Sequence, residues 1–143
     1  MIQDQFIVIS LKPKWVSLVL EQRKTIELRK SFAKELRNDT LALIYASSPI
    51  SAIVGTVTIE KATEGEIDYI WNKYGEESQV SKQEFMRYFH KKNKAIALHL
   101  NNPVGVNKLT LGELRTCCNF VPPVSWRYLK DTETHSILPL LER

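Results

Sequence analysis

Short apolar runs of strand length, set close together and separated by turn or helix signals, restrict this chain's fold more than any other feature. Residues 6–11 (FIVISL) are rich in β-branched side chains and read as a buried strand. Residues 25–29, 41–47, 52–62, 94–100 and 124–129 read as further strands. Ser47, Ser48, Pro49 and Ile50 form a turn signal, Gly55 marks a bulge, and Pro122 and Pro123 break the chain before the last strand. Helical spacing of Trp15, Leu18 and Val19 after Pro13 predicts a short amphipathic helix over 14–23. Another is expected over 67–74, ending at Gly75. Ser81 with Glu84, stapled by Val80 and Phe85, places a helix over 82–90. Thr110 with Glu113 repeats that signature and places one over 111–117. Strands outnumber helices and connections are short, which predicts an α+β fold with a barrel-like sheet rather than a doubly wound one.

The chain has 143 residues, 43% hydrophobic and 25% charged, so one domain spanning residues 1–143 with a single core is expected. That core is expected to gather Ile26, Leu28, Ile44, Val54, Val57, Ile96 and Leu98, with Trp15 and Trp71 joining it from helix faces. No apolar run approaches the ~20 residues of a membrane helix. The stretch MIQDQFIVIS lacks a basic start and a cleavage site. Cys117 and Cys118 are adjacent and have no other cysteine to pair with, which suits a reducing, cytoplasmic setting. His90, His99 and His135 are scattered and no ligand spacing occurs, so neither metal nor cofactor is expected.

Net charge is +4, but its distribution says more. Residues 1–37 carry +4, residues 38–78 carry −5, and residues 79–143 carry +5. If the two basic segments meet in space they form a face suited to phosphates. The acidic segment from Glu60 to Glu77 suits a protein partner instead.

The stretch EQRKTIELRK, residues 21–30, is the most informative polar segment. Alternation turns Ile26 and Leu28 toward a core and sets Thr25, Glu27 and Arg29 on the opposite face, with Lys24 at the strand's entry. Two readings fit. One is a solvated strand whose ion pair is worth roughly 0–1 kcal/mol. The other is the floor of a polar pocket, where a carboxylate between cations stays ionised and holds them.

The segments Leu11-Lys-Pro-Lys-Trp15, Arg23-Lys-Thr-Ile-Glu-Leu-Arg29, Ile44-Tyr-Ala-Ser47, Val54-Gly55 and Pro122-Pro-Val-Ser-Trp-Arg-Tyr-Leu129 together resemble the ASCH-domain family, in the family's order and over nearly the whole chain. The resemblance implies a PUA-like mixed β-barrel with short flanking helices. It also implies a cleft lined by Lys24, Glu27 and Arg29, with Lys12 near the rim and Tyr45, Ser47, Ser125, Trp126, Arg127 and Tyr128 as further candidates. The family's glycine before the lysine motif is replaced by Gln22 and Arg23. The implied partner is single-stranded RNA or a nucleotide-like ligand, in gene regulation or RNA metabolism. In that reading Lys24→Ala and Glu27→Gln weaken binding and leave the fold largely intact. The alternative is a metal-independent ribonuclease or an amidohydrolase on a modified nucleoside. Where hydrolytic relatives carry a threonine three residues after the lysine, this chain has Glu27. The ribonuclease reading draws on Lys24, Tyr45 and Ser125.

Overall fold

The structure, a computed structural model, describes residues 5–141. Its strands are β1 (Ile7–Leu11), β2 (Ile26–Arg29), β3 (Thr40–Ala46), β4 (Ala52–Glu66), β5 (Lys94–Thr110) and β6 (Trp126–Tyr128). Its helices are α1 (Pro13–Leu20), α2 (Ile67–Ser78), α3 (Lys82–Tyr88), α4 (Leu111–Cys118) and α5 (Asp131–Leu141). The strands form one mixed sheet in the order β2-β5-β4-β3-β1-β6. β1 runs parallel to β3 and every other pairing is antiparallel. The sheet curls into a half-barrel, the PUA-like α+β fold expected from the sequence.

Alternation along the strands sorts apolar side chains into three cores rather than the expected one. Ile7, Ile9, Ile44, Val57, Ile59 and Leu98 pack with α1 inside the curl. Val8, Leu43, Tyr45, Ile53 and Leu109 face the other way and bury α4 and α5 through Leu114 and Ile137. Ile26 and Leu28 belong to a third core, against Ile70 of α2 and Phe85 of α3. Val54 and Ile96 are only partly buried, at the margin of the first core. Both faces of β2 are therefore covered, which a four-residue strand tolerates only if its polar face is satisfied.

Both capping boxes form as expected, at Ser81 with Glu84 and at Thr110 with Glu113. Three boundaries differ from expectation. α2 runs through Gly75 and ends where Gln79 turns left-handed at φ 60°. Gly75 is there for space, since an added Cβ would lie 2.7 Å from the Trp71 ring. β4 and β5 extend well past 62 and 100: residues 63–66 pair with the start of β5 and residues 101–110 with the start of β4, and both extensions are mostly polar or exposed, so they carry little apolar signal. α5 was not expected at all. Pro139 and its threonines give it a weak intrinsic helix signal, and tertiary contacts supply the rest. The expected bulge is real: register shifts between Ile53 and Gly55, where a Cβ on Gly55 would meet the Val104 carbonyl oxygen at 2.9 Å.

A candidate nucleic-acid cleft at the sheet seam

The two ends of the strand order, β2 and β6, are not joined by a backbone ladder among the described residues. Arg29 joins them through its side chain. From β2 its NH1 donates to Ser125 Oγ at 2.7 Å and to the Ser125 carbonyl at 3.5 Å, just before β6. Its NH2 donates to the Ser10 carbonyl of β1 at 2.9 Å. Nε and NH2 also reach Glu27 Oε2, at 2.9 and 2.7 Å. Every N–H of a guanidinium's fork is thereby engaged.

The other Glu27 oxygen, Oε1, lies 3.3 Å from Lys24 Nζ. Lys24 is 2% exposed. Its ammonium also donates to the Ser78 carbonyl at 2.6 Å, at the negative end of α2, and lies 4.8 Å from the Trp15 ring centroid. Burial pushes the Lys24 ammonium below the usual lysine range, with Arg29 adding to that and Glu27 opposing it. Gln22 makes this placement possible. It adopts φ 62°, so the N–H groups of Arg23 and Lys24 both fold back onto the Leu18 carbonyl.

The set Lys24, Glu27 and Arg29 is thus a buried network of two cations on one carboxylate and not the solvated ion pair of the first reading. Thr25, expected beside Glu27 and Arg29, is exposed instead. The expectation that Lys24→Ala and Glu27→Gln would spare the fold changes accordingly. Lys24→Ala leaves buried Glu27 with one cation instead of two, and Glu27→Gln leaves two buried cations without their carboxylate.

Above this floor lies a cleft of about 590 Å³. Lys12, Ser47 and Ser125 line it as expected, together with the three network residues. Residues not expected there are Trp15, Val80, Glu84, Phe85, Arg87, Tyr88 and Phe89 from the helical side, and Val124 from the loop before β6. Lys12 comes from the first basic segment and Arg87 from the second, so the two segments do meet at one cleft. Lys14, also at this end of α1, pairs with Glu84 across 3.4 Å at the surface.

Four candidates, Tyr45, Trp126, Arg127 and Tyr128, lie elsewhere. Tyr45 points into the second core, with its ring 5.9 Å from Phe120, because it alternates with the inward-facing Ile44 and Ala46. It cannot join Lys24 and Ser125 in the cleft. Trp126 packs on Phe32 and Tyr128 at 4.8 and 5.5 Å, within the first core. Arg127 makes a bidentate pair with buried Glu133 at 2.8 Å to each oxygen and donates to the Val121 carbonyl, which fastens α5 to the sheet. Trp15, assigned to the core, is half-buried and divides its surface between the first core and the cleft. His99, in β5, meets Thr63 at 2.9 Å and lies outside the cleft. Among the described residues, no cluster of His, Cys, Asp and Glu could hold a metal ion, and no helix is long and apolar enough to cross a membrane.

The family model described as a domain of unknown function (DUF365) matches residues 7–131. An ASCH domain-containing ribonuclease of Zymomonas mobilis is 29% identical over 134 residues, which is 93% of this chain and 90% of that protein. The crystal structure of ASCH from Zymomonas mobilis matches with a TM-score of 0.88 at 29% identity, over 94% of each chain. Human THYN1, solved in complex with DNA containing 5-methylcytosine, shares the fold alone, at 12% identity and a TM-score of 0.64 over 98% of this chain and 99% of that one. The chain belongs to the DUF365 family and is an ASCH-domain protein of PUA-like fold.

Proposed function

We propose that this protein binds single-stranded RNA in the seam cleft. The observation that carries the reading is the convergence of both basic segments on that cleft, through Lys12 and Arg87. The Arg29 donors are engaged within the protein, so phosphates are met by these rim cations rather than by Arg29. Ser125 Oγ accepts from Arg29, so its own hydrogen is free to point at an acceptor on the ligand. The neighbours support the class of ligand: one relative is named as a ribonuclease, and THYN1 was solved with DNA.

A second reading is metal-independent cleavage of the bound RNA. The buried Lys24 amine, its proton affinity lowered by burial, favours it. In that reaction the ribose 2′-oxygen forms a bond to phosphorus, its proton passes to the deprotonated form of the Lys24 amine, and the P–O5′ bond breaks with the 5′-oxygen taking a proton from water. Incubating labelled single-stranded RNA with the protein in EDTA distinguishes the outcomes. Anisotropy that rises and a gel that shows intact RNA support binding alone; shortened RNA supports cleavage. No anisotropy change at low salt and no cleavage overturn both.

A further inference from the structure

Of the aromatic side chains lining the cleft, only Tyr88 is exposed. Trp126 is packed on Phe32 and Tyr128. The Trp15 ring already has two lysine ammoniums over it, Lys14 at 4.3 Å and Lys24 at 4.8 Å. Phe85 and Phe89 are buried in the third core. Tyr88, at the end of α3, lines the cleft and is 41% exposed. Its ring is fixed from behind by the edge of Phe89, at 4.7 Å and 78° between planes. Lys30 Nζ lies 4.5 Å from the ring centroid, Arg87 precedes it in the chain and lines the same cleft, and fully exposed Val124 lines the cleft too.

We infer that Tyr88 is the base-stacking residue of this cleft: it takes the face of one unpaired nucleobase, with the flanking phosphates held by Arg87 and Lys30. The inference rests on the RNA-binding reading and deepens it. A fixed, half-exposed ring needs no reordering to accept a base, and stacking outweighs an exposed lysine's hold on the same ring. A base inside a duplex has no free face to offer, so the cleft prefers single strands. Every base has a π-face to stack, so the contact is tolerant of base identity.

The test compares a single-stranded RNA with an abasic oligonucleotide of the same length and charge, by anisotropy, for the wild type and for Tyr88→Phe, Tyr88→Leu and Tyr88→Ala. Tyr88→Leu keeps bulk against Phe89 and removes the flat ring. The wild type and Tyr88→Phe should prefer the base-bearing strand. Tyr88→Ala and Tyr88→Leu should bind that strand roughly 5–150-fold more weakly, and bind the abasic strand as the wild type does. If the wild type binds RNA and the two variants match it, the stacking role is overturned and RNA binding stands. If the wild type binds neither strand, the RNA-binding reading falls and the stacking role with it.

Discussion

Arg29 and Ser125 stand at opposite edges of the sheet, yet 2.7 Å separates the guanidinium NH1 from the serine Oγ. The bond closes by side chain a curl that no backbone ladder closes. Arg29→Met should therefore cost about 3–5 kcal/mol, because it also leaves buried Glu27 with one cation instead of two. Ser125→Ala should cost about 1–3 kcal/mol, since one guanidinium donor loses its partner while the others remain. Urea unfolding of both variants checks this ordering; equal and negligible losses would show that the seam is held by other means.

Lys24 makes stability rise with alkaline pH. The folded chain holds the Lys24 proton less tightly than the unfolded chain does, because burial disfavours the ammonium. Between its lowered folded value and the ordinary lysine range the unfolded state binds more protons, so the contribution of this group increases as pH rises. Lys24→Met abolishes that dependence. The unfolding free energy of the wild type, measured relative to this variant from pH 7 to pH 10, should climb; a decline would contradict the burial argument.

Arg127 and Glu133 make an acid-side counterpart. Burial pushes the Glu133 carboxyl up, but hydrogen bonds from Arg127 and from the Lys130 N–H outweigh it and hold the group below the usual carboxylate range. The stability this confers is present above the ordinary glutamate pKa and is lost as pH falls through the lowered folded value. Arg127→Ala should cost about 3–5 kcal/mol at neutral pH by stranding a buried carboxylate. Thermal melts from pH 7 down to pH 3 should show the gap to wild type narrowing. A gap independent of pH would mean that the pair does not hold α5.

The strands, both capping boxes and the floor residues were legible because each has a local signal: period-two alternation, a Ser or Thr three residues before Glu, and a charged run on one face. What escaped was set by contacts between distant segments. Tyr45 and Ser47 share a parity, yet β3 ends at Ala46, and only Ser47 beyond that end reaches the cleft. Tyr88 and Arg87 lie on a helix the sequence located well, but which side of that helix meets the cleft depends on how the third core seats it. α5 depends on a salt bridge from another element. The network's burial was also hidden, because six charges in ten residues look solvated until the seam closes over three of them.

The central claim is that rim cations grip the RNA backbone while the floor's two cations stay bound to Glu27 and to backbone carbonyls. The salt dependence of single-stranded RNA affinity, compared between the wild type and Lys12→Ala/Arg87→Ala, tests it most directly. Each lost phosphate contact should flatten the plot of log affinity against log salt by about 0.7, so the double variant should be shallower by roughly 1.4. Both proteins should melt alike, because both side chains are exposed. An unchanged slope with unchanged affinity would contradict the account and move the nucleic acid to another face.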